Sequence, residues 1–553
     1  MTRLEDLPTK EELIKKYYSW LLDSNDIKLE KEIDICLPVS DRDCFIYYPE
    51  LMADLFHTQS LQKLGRISQL SFMYQSHPGA WHSRLEHSIA VFGKKQEEHI
   101  YLWMNNPDFV RYIAENGLKK YLLAEEIKML YHDVGHLPFS HPTEKEIIKR
   151  RGGHEEIGKD ILLTDPEVVA ILTRLGILEE VRTVLTEDVF NSNEHDEGNL
   201  DVDRKAYLQT DAIHIGTDNF NRYPIYSRKI AKVNEDGSYM KSPNGSILLT
   251  DTLGPDSKFI DVYAHSDISQ VEGVLYGREN LYKNGYYSPT VLAHDTIMGL
   301  VQSKVAPANG KYCPDLQNYI NFLNNGDYQS AKEYDEVDIF KSLIDLGLNC
   351  DNPDVVDMVS LVFVPFSNWL NLMHARLDAS KDAEFIKSIR RNIIEGNSRF
   401  AKNLRDKNFF NENVILIEGE NSSALKRKGL THLIYNSNCV SAYNPSQPLY
   451  LEDKNGDVFA LEDHPDKSRN WRDTRSYSSI AICATPWLRL QGLSPFKIAD
   501  YVRQCQGMKS EFSIGELPSD PDYVARCQRI KSELSNSINS ESSISEVPSG
   551  DER

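Results

Sequence analysis

The chain has 553 residues, a formal net charge of −21 and 40% hydrophobic residues, enough to bury a large core in more than one structural unit. No run of about 18 apolar residues occurs, so no membrane-spanning helix is expected, and the mixed-charge start Met1–Lys10 does not read as a secretory signal. The acidic balance argues against nucleic acid as the main ligand, because binding a long polyanion needs a basic face; a small metal-chelated nucleotide needs only a few local cations.

In chain order, the pattern predicts a helix from Lys10 to Leu22 and short strands around Ile33–Cys36 and Phe45–Tyr48. Residues 49 to about 413 read as mostly helical, with amphipathic stretches at His82–Asn105, Leu122–Tyr131, Glu144–Arg151 and Asp201–His214. Gly152-Gly153 and Asn191–Gly198 read as turns. Within this region, Arg228–Val262 alternates in polarity around Asp236-Gly237 and Asn244-Gly245, which predicts a β-hairpin insertion. Beyond Asn413, Val414–Ile417 and Leu449–Leu451 mark a smaller mixed α/β C-terminal lobe. From about residue 534 the composition turns to Ser, Asn and Glu, which predicts disorder. The fold class is therefore mainly α, with a leader (1–48), a core (49–413), a mixed lobe (414–515) and a tail (516–553). Eight cysteines without a CxxC pair fit a reducing, cytoplasmic setting.

Chemistry concentrates in Tyr131–His141, where His132-Asp133 ends an apolar helical run and Gly135, His136, Pro138 and His141 follow at once. His87 and Asp203 lie in two other segments, Ser83–Ser88 and Leu200–Arg204. Two imidazoles and two carboxylates suit a divalent metal that activates water. Other His-Asp pairs read as bland: His195-Asp196 sits in a polar loop, and His294-Asp295 reads as an ordinary core or surface pair.

Three stretches resemble signatures of the HD-domain deoxynucleoside triphosphate triphosphohydrolases. They are Phe72–Ser88 with His77-Pro78-Gly79-Ala80, the run His132–His141, and Asp201-Val202-Asp203. The resemblance spans roughly residues 45–300 and implies an HD-domain helical core. The leader is too short for the SAM domain that animal members carry. It implies His87, His132, Asp133 and Asp203 as ligands of Mn, Mg, Fe or Zn, and an acid/base group of His141, Glu144 and His154, with His136 lining the pocket. Arg84 then corresponds to a grip on the α-phosphate and Arg278 to one on the γ-phosphate. Gln69, Leu70 and Asp211 correspond to contacts with the sugar edge and its 3′-hydroxyl, and Tyr286 to a ring that disfavours a 2′-hydroxyl. Arg204 and Tyr207 share the helical stripe of Asp203 and Asp211, with Arg204 standing where the family usually has Lys.

The implied reaction is attack of metal-activated water on the α-phosphorus of a deoxynucleoside triphosphate, releasing deoxynucleoside and inorganic triphosphate. Homo-oligomers are expected by the same resemblance. Two departures stand out. Gly65, three residues after Gln62, replaces an arginine of the regulated members' nucleotide effector site, and Ser288-Pro289 replaces a His-Lys pair. Lys426-Arg427-Lys428 reads as a solvated charge run. The alternatives are another HD phosphohydrolase, acting on a monophosphate or signalling nucleotide, and a nucleotide sensor without turnover.

Overall fold

In this computed structural model the described residues are 8–33, 45–141, 143–144, 153–187, 189–190, 199–217, 226–286, positions within 288–302, 314–331, 333–349, 359, 362–363 and 443–471; four further strands between 370 and 484 are described by their backbone. The predicted helix Glu144–Arg151, the loop holding His195, the run Lys426–Lys428 and the C-terminal tail fall outside them, apart from Glu144 itself.

Helix α1 (Lys10–Leu21) begins where the sequence predicts, because Thr9 and Glu12 form a capping box that satisfies free N–H groups at the helix start. It buries Ile14, Tyr17, Tyr18 and Leu21. Strand β1 (Leu29–Ile33) pairs antiparallel with β2 (Phe45–Pro49). Of the strand expected around Ile33–Cys36, Ile33 is the last residue of β1, and residues 34–36 lie outside the described residues. Leu29-Glu30-Lys31-Glu32-Ile33 carries little strand character of its own, and its pairing with β2 decides the matter.

Helices α2 (Arg84–Asn105) and α3 (Lys119–Leu130) pack against each other. Ser83 caps α2 through Glu86 N, which places Arg84 and His87 in its first turns. Helix α4 (Gly153–Thr164) follows, then α5 (Val202–Ile215), capped by Asp201 and ended by left-handed Gly216. One apolar cluster links these helices to α1 and to Trp471.

The predicted hairpin insertion is present. Strands β3 (Tyr226–Lys232) and β4 (Ser257–Tyr263) are antiparallel, and the chain between them turns at Gly237 and Gly245. Side-chain oxygens of Asp236 and Asn244 accept from Ser238 N and Ser246 N to close these turns. The sheet is completed by strands far along the chain. Ordering strands along the chain, β5 (Leu370–Asp378), β6 (Val414–Glu418) and β7 (Thr431–Ser441) precede β8 (Tyr450–Glu452), β9 (Val458–Ala460) and β10 (Ser476–Ala484). β8 pairs parallel to β4 and antiparallel to β9, giving the order β3-β4-β8-β9. A second sheet has the order β5-β10-β7-β6. Its strand β5 lies in a stretch read as helical from the sequence. The apolar alternation of Leu370 and Leu372 changes phase at Met373, and the register with β10 shifts there, which hides the period of two.

Segment 443–471 is fastened to helix α6 (Ile268–Leu281). Glu272 accepts from Trp471 Nε1 and from Ser468 N, both at 2.7 Å, and the Arg469 guanidinium lies 3.9 Å from the Trp471 ring. Asn199, fully buried, donates to Asn444 O and Gln447 O and accepts from Asn444 N. Among the described residues no helix is long and apolar enough to cross a membrane.

Candidate metal centre and pocket

α2 contributes His87 near its start and α3 ends just before His132 and Asp133, while Asp203 rises from the first turn of α5. His87 Nε2 and His132 Nε2 face each other at 3.2 Å. Asp203 Oδ1 lies 2.9 Å from the first and 3.5 Å from the second. Asp133 approaches the same atoms, with Oδ1 3.3 Å from His132 Nε2 and Oδ2 3.6 Å from His87 Nε2. His132 donates its Nδ1–H to Met129 O at 2.8 Å, which turns the lone pair of Nε2 inward. The nitrogens of His87 and His132 and the Asp203 carboxylate, drawn from three segments and with Asp133 beside them, fit a divalent cation.

Desolvation of His132 is outweighed by Asp133 and Asp203, which hold its imidazolium up to about 9. Cation uptake must then displace a proton. Titrating the protein with Mn at pH 7.5 in buffers of different ionisation enthalpy is expected to show proton release; identical heats in all buffers would contradict it.

Asp133 is tied down from behind. Arg84 donates to its Oδ2 and to Ser140 Oγ at 2.7 Å, and reaches Gln69 O at 3.5 Å. His136 Nε2 lies 3.3 Å from Asp133 Oδ1. Burial and the nearby Arg84 charge push His136 well below the usual imidazole range, so it is neutral and orients Asp133. Asp133 stays ionised although burial opposes its charge, because His132, Arg84 and His136 favour the carboxylate.

Next to it stands the trio His141, Glu144 and His154. Glu144 Oε2 is 3.3 Å from His141 Nδ1 and 3.1 Å from His154 Nδ1, and Oε1 accepts from His154 N at 2.7 Å. The rings of His136 and His154 stack at 3.8 Å. Two glycines permit this closeness. A Cβ on Gly135 would stand 2.0 Å from His154 O, and one on Gly153 would strike Glu144 Oε1. The His141 side chain is 60% exposed. Its imidazole is held below its usual value, chiefly by desolvation and with help from Arg84 and His154, against the opposing pull of Glu144.

The sugar-edge candidates form a second line. Asp211 is bonded to His82 Nε2 at 2.8 Å and to the Tyr286 hydroxyl. Tyr207 lies between the two groups, 6.5 Å by ring centroids from both His87 and Tyr286. Arg278 lies over the Tyr282 ring at 5.5 Å, and Arg204 reaches Asp201 at 3.5 Å. Leu70 packs against the core, and Gln69 Oε1 is buried without a hydrogen-bond partner among the described residues. His294 is a core residue stacked on Phe72, as the bland reading has it. Gly65 faces Leu85, with room for ordinary contact.

His82, Ser140 and Tyr282 were not singled out from the sequence. His82 and Ser140 adjoin motif residues, which is the signal that could have found them.

No family model matches the chain. It is 27% identical over 247 residues to an uncharacterized Bacillus subtilis protein, YwfO, a match covering 43% of this chain and 54% of that one. It is 27% identical over 219 residues to an HD domain-containing protein of Acanthamoeba polyphaga mimivirus, covering 36% and 47%. The mouse deoxynucleoside triphosphate triphosphohydrolase SAMHD1 is 26% identical over 243 residues, 35% of each chain. The chain thus spans about half the length of the first two relatives. In fold it is similar to a phosphohydrolase from Bacteroides thetaiotaomicron, with TM-score 0.52 and 18% identity over 82% of this chain and 99% of that one. An Aquifex aeolicus protein gives TM-score 0.52 at 16% identity, covering 85% and 100%.

Proposed function

We propose that the protein is a metal-dependent HD-type phosphohydrolase that cleaves deoxynucleoside triphosphates to deoxynucleoside and inorganic triphosphate. The observation that carries the reading is the grouping of His87, His132 and Asp203, with Asp133 3.3 Å from His132 Nε2 and 3.6 Å from His87 Nε2, beside the His141–Glu144–His154 trio. A bound divalent cation supplies polarisation of a phosphoryl oxygen and acidification of water. His87, His132, Asp133 and Asp203 would hold it. Glu144 accepts from the Nδ1–H of His141 and favours its imidazolium; in that protonated form the Nε2–H is the group that donates to the departing 5′ oxygen. Arg84, Arg204 and Arg278 supply positive charge for the phosphates.

The deoxyribose preference rests on the Tyr286–Asp211 bond, which fixes a ring and a carboxylate side by side, and on the buried Gln69 oxygen, which suits a hydroxyl donor. The SAMHD1 likeness points the same way. Assembly into homo-oligomers and a cytoplasmic setting belong to the same proposal.

The test is incubation with Mn or Mg and each deoxy- and ribonucleoside triphosphate, with products separated by anion exchange. Inorganic triphosphate from deoxynucleotides is expected. Release of monophosphate and pyrophosphate would favour another phosphohydrolase, and absence of turnover with any metal would favour a sensor. Tyr286→Ala is expected to narrow the preference for deoxy- over ribonucleotides by about tenfold, the scale of 1–2 kcal/mol of lost discrimination; an unchanged ratio would remove Tyr286 from that role.

A further inference from the structure

A carboxylate from the later half of the chain grips both segments that flank the metal centre. Glu336 is the first residue of α7 (Glu336–Asn349), and its Oε1 lies 3.0 Å from Ser68 N and 3.2 Å from Phe139 N. Each of these amides belongs to the residue just before a group that accepts from Arg84, namely Gln69 O and Ser140 Oγ. One part-buried oxygen thus fixes two of the acceptors that aim the Arg84 guanidinium, and the third is Asp133 itself.

The turn it grips needs holding. Phe139 and Ser140 have φ of 64° and 51°, a left-handed conformation that side-chain-bearing residues keep only when their surroundings enforce it. Phe72 stacks on the Phe139 ring at 5.3 Å, but the Phe139 amide itself is satisfied by Glu336. Nearby Ser71, also left-handed at φ 47°, is held by Asp295 Oδ1, 3.0 Å from its hydroxyl.

An ordinary helix-start role does not account for Glu336. Asp335 already caps α7, with Oδ1 accepting from Val337 N and Asp338 N. Glu336 instead reaches across 197 residues in sequence to a backbone amide.

We propose that Glu336 is a positioning residue of the hydrolytic site, setting Arg84 through the Ser68 and Phe139 amides and, through Arg84, the Asp133 carboxylate. Turnover as a readout rests on the phosphohydrolase reading; the geometry does not. Burial pushes the Glu336 carboxyl up to about 7 against the pull of the two amides and Arg84. A glutamine, whose amide oxygen can accept the same two N–H groups, is therefore a close substitute.

The experiment compares the full-length native protein with Glu336→Ala and Glu336→Gln by hydrogen exchange, Mn affinity and steady-state kinetics. Glu336→Ala is expected to lose amide protection in peptides covering 66–70 and 137–141, and to weaken Mn binding by about tenfold, as loss of a group orienting a ligand does. Its kcat should fall by about 100-fold with KM changed less than about threefold. Glu336→Gln should restore all three readouts to within about threefold of native. Native Mn affinity and kcat in Glu336→Ala would overturn the proposal. So would a Glu336→Gln protein as defective as alanine, with protection lost throughout the chain, since that marks a general structural role. If the native protein hydrolyses no nucleotide, the function assigned above fails, while exchange and Mn affinity still decide the role of Glu336.

Discussion

Replacing Asp203 with alanine is expected to abolish hydrolysis, with kcat/KM down by at least about 10³-fold, while leaving the cation-free fold intact. Asp203 is the one ligand contributed by α5, and its Oδ1 is within 3.5 Å of both imidazole nitrogens. Removing it opens the ligand set, and loss of metal electrostatics worth several kcal/mol corresponds to about 10³-fold or more in rate. The Asp203 side chain is 40% exposed, so its truncation leaves no cavity in the core. The native protein should gain thermal stability on adding Mn, because a ligand that binds only the folded state shifts the equilibrium. The Asp203→Ala protein should show no such gain. A variant that still melts higher with Mn and still turns over would sink the assignment of Asp203.

The second large effect is on stability. Glu126 on α3 is fully buried and accepts from the hydroxyls of Tyr17 and Tyr18, at 2.8 and 2.7 Å, with His99 Nδ1 at 2.9 Å from the same carboxylate. Glu126→Leu is expected to lower the free energy of unfolding by about 3–5 kcal/mol, because it takes the buried acceptor from two tyrosine hydroxyls and one of the two carboxylates from His99. Urea unfolding measures it, and a loss below about 1 kcal/mol would show that the network is not needed to seat α1.

This network also sets a pH dependence. Desolvation opposes charge on His99, but Glu125 and Glu126 overcome it and raise its pKa above 6.5. Its contribution is therefore fully present below about pH 6.5 and fades as pH rises through the higher folded value. Glu125 is shifted the other way: burial opposes its ionisation, but Lys95 and His99 depress its pKa below 4.5. That contribution is present above about pH 4.5 and is lost as pH falls through the depressed value. The stability difference between native protein and His99→Gln should accordingly shrink on the alkaline side. A difference constant from pH 6 to 10 would contradict the shift.

The proposed ligands were legible as candidates because each sits in a short run whose neighbours announce it. His132-Asp133 is followed at once by Gly135 and His136, and Asp203 follows the capping Asp201. The helix starts at Thr9 and Ser83 and the turns at Gly237 and Gly245 were legible for the same reason, since caps and turns are local chemistry. The start of strand β1 was not legible, because Glu30, Lys31 and Glu32 owe their extended form to β2. Glu336 left no trace at all. It acts on backbone amides, which carry no side-chain signature, from a helix whose own cap is a different residue. The pairing of β8 with β4 was equally hidden, because it joins residues nearly 190 positions apart through short parallel contacts.

Asn199 lies four positions before Asp203 and spends its whole side chain on residues 444 and 447. The loop that delivers the third helix's carboxylate is therefore anchored to chain made more than two hundred residues later. A fragment ended near residue 440 would retain every proposed metal ligand yet release that anchor, and it should bind Mn more weakly than the whole protein. During synthesis, the centre would reach its final shape only after the late segment has emerged and docked.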